Sequence, residues 1–163
     1  MAAEENKHIV FTLGRETYGI PILEIITIER AMEITSIPST PSFVRGIANL
    51  RGRIIPIIDL KDKVGIGAVE ETDRVCVIIV DIGTGQGTQR YGLMVDEVSE
   101  VVNMEEEFIE PVPKYSNTSI NQEFMSGIGK VKEKVMEQVI EKVIILLDIQ
   151  KILEQEESMM PLV

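Results

Sequence analysis

Cysteine and histidine are almost missing from this chain, which has one of each in 163 residues. A lone cysteine excludes an intrachain disulfide and a cysteine zinc cluster. Its apolar neighbours Val75 and Val77 mark Cys76 as a buried strand thiol. A lone His8, at the start of the first strand signal, leaves neither a histidine metal site nor a Cys–His nucleophile pair. Positive charge is also scarce, with 16 Lys and Arg against 27 Asp and Glu, a net charge of −11. Nucleic-acid affinity depends on neutralising phosphates, so no nucleic-acid partner is expected. An anionic membrane surface would repel the chain. No apolar run approaches the roughly 20 residues that span a bilayer. The polar N-terminus MAAEENKH lacks a signal-peptide core, and a cytoplasmic location is expected.

Catalytic patterns are equally thin, and no catalytic residue, cofactor or metal is expected. Gly83-Thr84-Gly85-Gln86-Gly87 is followed by a strand signal, not by the helix that a phosphate cradle requires. Met125-Ser126-Gly127 lacks the first glycine of a serine elbow. Asp81, Asp96 and Glu97 could act as paired acids, but strand ends and caps explain them more simply. A small-ligand or hydrolytic barrel built around Asp96 is the rival class.

What the chain does have is a repeat. Ile54-Ile55-Pro56-Ile57-Ile58-Asp59-Leu60 returns as Val143-Ile144-Ile145-Leu146-Leu147-Asp148-Ile149, at an offset of 89. Tyr18-Gly19-Ile20 matches Tyr91-Gly92-Leu93, and Glu24-Ile25 matches Glu97-Val98, both at 73. Gly46-Ile47 matches Gly127-Ile128 at 81, so about eight residues are inserted between Ile128 and Val143. Two related halves, about 8–64 and 74–153, are implied within a single domain spanning 1–163. Short Gly-bounded strands with little helix favour two small β-barrels. Each is too small for a thick core of its own, so a joint core is expected. End strands can cross over to close the other barrel.

Residues 8–14 and 17–22 predict a first hairpin. LEIITIERAMEITSIP predicts one helical turn running into a strand that ends at Pro38 and Pro41. Ser42 is placed to cap a short helix, SFVRGI, and Asp59 to cap LKDK. Residues 65–73 form a polar connection, 74–82 a buried strand and 83–88 a turn. Residues 89–103 predict a strand and a second short helix-to-strand passage. In the insertion, Val131, Val135, Val139 and Val143 recur every four residues, which suits an amphipathic helix. A lengthened hairpin is the alternative.

Two features point to binding. Arg51, between apolar strands, must reach water or find a carboxylate such as Glu24 or Glu29. Ile20, Ile22, Leu23, Ile25, Ile26 and Ile28 exceed what one face of a short element can bury. Part of this set should line a groove for a protein partner, an amphipathic helix being a suitable one.

FTLGRETYGIPILEI, PSFVRGIANLRGRIIPIIDL, YGLMVDEVSEV and VIILLDIQKIL, in this order, resemble the CheW family of chemotaxis coupling proteins from about residue 8 to residue 154. The resemblance implies two intertwined five-stranded SH3-like β-barrels, mainly β, with short helices and a shared hydrophobic core. It also implies a non-enzymatic adaptor that joins the regulatory domain of a CheA-type histidine kinase to the cytoplasmic tip of chemoreceptors, recruited to membrane-attached arrays. With no room for kinase or receiver segments, a stand-alone coupling protein is expected. By motif, the receptor groove would comprise Ile9, Ile22, Ile25, Ile28, Val95 and Val98. Arg51 occupies the arginine position of the NLRG motif and is tied to coupling, with Gly46 and Gly52 near kinase contacts and Glu24 or Glu29 as ion-pair candidates. Two departures stand out. Thr27 stands where some members carry the arginine's acidic partner, and 131–142 replaces a short turn.

Overall fold

The computed structural model describes residues 6–85, 87–113 and 122–154. Its elements are mainly strands. The first hairpin joins β1 (Lys7–Leu13) to β2 (Glu16–Pro21), with Gly14 at φ +66 in the turn. A 3-10 turn, Ile22–Glu24, leads into β3 (Ile25–Arg30). Then come β4 (Val44–Leu50), β5 (Arg53–Asp59) and the helix Leu60–Lys63. The second half repeats this order: β6 (Cys76–Thr84), β7 (Gly87–Val95), β8 (Glu97–Asn103), the two-residue β9 (Ile109–Glu110), β10 (Met125–Val135), β11 (Gln138–Leu147) and the helix Ile149–Leu153.

The halves exchange hairpins. One sheet runs β8-β1-β2-β11-β10-β9 and the other β3-β6-β7-β5-β4. Each half therefore lends its first two strands to the sheet built by the last strands of the other. The joins are equivalent: β2 pairs in parallel with β11 through Tyr18↔Ile145, and β7 pairs in parallel with β5 through Gly92↔Ile57. This arrangement is compatible with two intertwined SH3-like barrels, with β9 as a sixth strand in one sheet.

Alternation along the exchanged hairpins explains the cores. Ile9, Phe11 and Leu13 of β1 and Ile78, Val80 and Ile82 of β6 meet in one large cluster shared by both sheets. The intervening residues turn the other way. Val10 joins Val102, Met104, Ile144 and Leu146, while Val77 and Ile79 join Ala48, Ile55, Ile57 and Met94. Strands buried on both faces read as continuous apolar runs, which is why 76–80 and 144–147 do. Gly92 is required where β7 crosses its cluster, since a Cβ there would lie 2.6 Å from Ile57 and 2.7 Å from Val77.

Asp59 and Asp148 both cap the helix that follows, accepting from the backbone N–H of Asp62 at 3.0 Å and of Lys151 at 3.1 Å. Three expectations need correction. No helix forms after Ser42. The Val44 N–H bonds to the Pro41 carbonyl and β4 begins at once, because the Phe43 carbonyl is held by the Asp59 N–H at 2.6 Å. The second half lacks the helical turn between β7 and β8, with only Asp96 between the strands. Residues 131–142 form no helix. They extend the β10–β11 hairpin to a turn at Met136-Glu137.

Candidate partner-binding surface

Pro21 ends the first hairpin in extended geometry, and the 3-10 turn after it closes with the Ile25 N–H on the Ile22 carbonyl. The chain then enters β3 as an edge strand, its outer side unpaired. A register shift between Ile25 and Thr27 against β6 leaves Ile26 as an extra residue turned outward. The result is an apolar ledge. Ile22, Ile25 and Ile28 are half-buried against the shared core, while Leu23 and Ile26 are 65% and 42% exposed. Val98, on the edge strand β8, is half-buried against the same core.

Ile9 and Val95 do not share this exposure. They are 5% and 0% exposed and sit within the core, so they offer no contact surface. The reason is alternation: each lies on the inward face of a strand buried on both sides. Glu24 stands at the end of the 3-10 turn. Partial desolvation and then the like charge of Asp148 push its carboxyl above the usual carboxylate range.

Arg51 is elsewhere and differently placed from what its sequence neighbours suggest. It occupies the tip of the two-residue β4–β5 hairpin, at φ +52, followed by Gly52 at φ +88. Positive φ at both central residues is the type I′ pattern that suits the strand twist. Asn49 Oδ1 accepts from the Gly52 N–H at 2.9 Å and sets the turn. Arg51 is exposed and makes no ion pair with Glu24 or Glu29; Glu29 instead accepts from the Thr27 hydroxyl at 3.0 Å. Beside the hairpin lies an open cleft of about 480 Å³, lined by Glu29, Met32, Glu33, Ile47, Leu50 and Ile54. Gly52 is open to solvent, and a Cβ added there would meet nothing within 4 Å. Gly46 is buried. At φ +143, its missing Cβ would sit 2.0 Å from the Thr35 carbonyl oxygen, so it admits the chain at 35–36 and is not a contact residue.

The carboxylates weighed for catalysis are spoken for. Asp81 pairs with Arg90 at 3.0 Å, and Glu97 lies 4.0 Å from Arg74. Asp96 accepts from the Gly14 N–H at 2.7 Å and pairs with Lys61 at 3.2 Å, tying the first hairpin to the opposite sheet. Among the described residues, no group of three or more His, Cys, Asp or Glu could hold a metal ion. No helix among them is long and apolar enough to cross a membrane.

Sequence reasoning missed Arg45. Its guanidinium pairs with the buried Asp59 at 3.0 Å and also donates to the Val69 carbonyl, while Asp59 Oδ2 accepts from the Val69 N–H at 2.9 Å. This network anchors the 65–73 connection. The repeat held the signal, since Arg45 aligns with the uncharged Ser126 beside an aspartate present in both halves.

Comparison with known proteins decides the family. The family model described as CheW-like domain matches residues 7–157. The chain belongs to the CheW-like family. A chemotaxis protein CheW from Klebsiella aerogenes is 38% identical over 153 residues, covering 93% of this chain and 84% of the relative. One from Helicobacter pylori is 31% identical over 137 residues, covering 82% and 79%. The crystal structure of the scaffolding protein TtCheW from Thermoanaerobacter tengcongensis superposes with a TM-score of 0.75 at 39% identity, covering 92% of this chain and 88% of that one. CheW-like domains are non-enzymatic scaffolds of chemotaxis, which removes the hydrolytic rival around Asp96.

Proposed function

We propose that this CheW-like chain is a cytoplasmic adaptor that couples chemoreceptors to a CheA-type histidine kinase at membrane-attached receptor arrays. Membership of the family supports the scaffold role, and the apolar ledge on β3 carries the receptor part. A half-buried isoleucine floor with an exposed Leu23 and Ile26 rim suits one face of a receptor-tip helix, and burial of such a rim drives helix-in-groove docking. Ile22, Ile25, Ile28 and Val98 form the floor, with Ile9 and Val95 supporting it from beneath. Kinase contact is assigned to the Arg51-Gly52 tip and the adjacent cleft. There an exposed arginine, without an ion-pair partner among the described residues, is free to meet a carboxylate, and Glu29 lines the cleft. Gly46 acts indirectly by letting the 35–36 segment pass, and Glu24 borders the receptor ledge. The two halves, 8–64 and 74–153, work as one unit because each sheet takes strands from both.

Co-sedimentation with a receptor cytoplasmic fragment and a CheA-type kinase, with ATP turnover as readout, tests this. Leu23→Asp and Ile26→Asp each put a charge into a surface desolvated on docking. They should weaken receptor binding about tenfold or more without a change in melting temperature. Arg51→Ala should keep receptor binding and lower kinase control. Unchanged receptor binding in both folded ledge variants would sink the groove assignment, and failure of the wild type to join either partner would sink the function.

A further inference from the structure

One place in the fold is apolar in the first half and polar in the second. His8 opposes Pro21 in β1 as Val77 opposes Met94 in β6. At the offset of 73 that links Pro38 to Pro111, Met32-Glu33-Ile34 corresponds to Glu105-Glu106-Glu107. Val77 belongs to a buried cluster, and Met32 and Ile34 pack against it. In the other half a histidine takes the place of the valine, and glutamates take the places of the methionine and the isoleucine. There the structure has an open cavity of about 670 Å³, lined by His8, Glu106, Glu107, Glu110, Ile109 and Leu146. It lies apart from the β3 ledge and the Arg51 tip, sharing no lining residue with either.

Local hydrogen bonds set the chemistry of this cavity. The Asn6 carbonyl accepts from the Met104 N–H at 2.8 Å, which ties the start of β1 to the end of β8. The same carbonyl lies 3.1 Å from His8 Nδ1. A carbonyl only accepts, so Nδ1 carries the proton and Nε2 of the neutral ring is a lone pair. Nε2 has no partner among the described residues, although His8 is only 6% exposed. A buried acceptor is costly until a donor reaches it, and the ring lines the cavity from which one can come. The 3-10 turn Glu106–Phe108 adds Glu106 and Glu107, both exposed and without ion-pair partners among the described residues. Glu110 is already neutralised by Lys130 at 3.2 Å. Ile109 can approach because Gly127 has no side chain, since a Cβ there would lie 2.7 Å from Ile109. A lone pair, two unneutralised carboxylates and aliphatic walls call for an occupant with N–H donors, positive charge and an apolar stem. A metal ion does not fit, because no group of three or more His, Cys, Asp or Glu among the described residues could hold one.

We propose that this cavity binds a small aliphatic ammonium ion, which donates to His8 Nε2, is held by the charges of Glu106 and Glu107, and rests its stem on Ile109 and Leu146. The test uses the full chain at about pH 7.5, where the ring is neutral, and in about 0.15 M salt, which screens diffuse attraction to the net charge of −11. His8 is the one histidine, so its ring gives a single set of NMR signals. Titration with n-butylammonium should shift those signals saturably. Tetramethylammonium, which has the charge and no N–H, should not. Calorimetry with n-butylammonium should show binding weakened about tenfold by Glu106→Gln/Glu107→Gln. Glu133→Gln/Glu137→Gln removes the same charge from the exposed arm of the β10–β11 hairpin beyond Val131↔Lys142, and should leave binding unchanged. His8→Val should weaken binding at least as much as the first pair, with its melting temperature as the check on folding. If that variant does not fold, the two exposed glutamate pairs still decide. The absence of a saturable shift with n-butylammonium would overturn the proposal. So would an equal response to tetramethylammonium, or equal losses in the two glutamate pairs.

Discussion

The β4–β5 hairpin turns on Arg51-Gly52 straight after Leu50↔Arg53, whereas its counterpart β10–β11 continues for four more pairs before turning on Met136-Glu137. Both turns have positive φ at both central residues, so turn geometry is the same and length is the variable. Four residues added to each strand is an even number, so the two-residue turn closes the same kind of ladder pair, and Val131, Ile144 and Leu146, which lie on the sheet side of the added pairs, still face the inner cluster. The fold could therefore accept the insertion without repacking. A second difference lies beneath the hairpins. Asp59 and Asp148 cap equivalent helices, but only Asp59 is fully buried and paired with an arginine. The repeat holds the backbone plan constant, and each half specialises through its unrepeated side chains.

The largest effect should separate the two capping aspartates. Asp59→Ala strips Arg45 of its counter-ion, leaves the buried Val69 N–H unsatisfied and removes a cap, so it should cost about 3–5 kcal/mol. Asp148→Ala removes one cap and should cost about 1 kcal/mol. Urea denaturation of both variants measures the gap. Equal losses would mean that the Arg45 network adds nothing beyond capping.

A smaller effect should follow from making the hairpins equal. Replacing Lys132–Glu141 with Arg-Gly removes the arm and leaves Val131↔Lys142 closing the turn. The excised side chains are exposed, so stability should change by less than about 1 kcal/mol. Arg51→Ala should likewise leave stability within about 0.5 kcal/mol, since the tip arginine is exposed and has no ion-pair partner among the described residues. Thermal melting of both checks this, and a loss above about 2 kcal/mol for the excision would show that the arm is packed.

The repeat makes the two halves, the capping aspartates and the eight-residue insertion legible in the sequence. It also makes the shared core an expectation, because neither half could bury enough alone. The helix reading of 131–142 fails for a physical reason. A spacing of four places Val131 and Val135 on one face of a helix and also on one face of a strand. The tie is broken by β-branching, since Val131, Val135, Val139, Ile140 and Val143 favour a pleated ladder. Arg51 looks enclosed in the sequence because its neighbours are apolar, whereas a two-residue turn lifts it away from them. Ile9 and Val95 enter the groove set by motif alone, and a motif does not tell which face of a doubly buried strand points outward. Which hairpin goes to which sheet depends on contacts between distant segments, and only the possibility of crossover is readable.

The smallest effect concerns a polar residue at a core position. His8 opposes Pro21 in β1 as Val77 opposes Met94 in β6, so His8 stands where the other half has valine. It is 6% exposed, and its Nδ1 lies 3.1 Å from the Asn6 carbonyl. Burial lowers its pKa below the ordinary 6.5, an effect partly offset by that hydrogen bond. The unfolded chain then binds a proton more readily than the native one in the window just below pH 6.5. In that window stability should rise with pH, and the penalty should be gone above it. His8→Val, which copies the other half, should abolish this part of the pH slope. Melting temperatures of both proteins from about pH 5 to about pH 7.5 measure it. If the rising slope persists in the variant, His8 is not its source, and neither is Glu24. Its raised pKa acts with the opposite sign, giving stability that falls as pH rises through the carboxylate range.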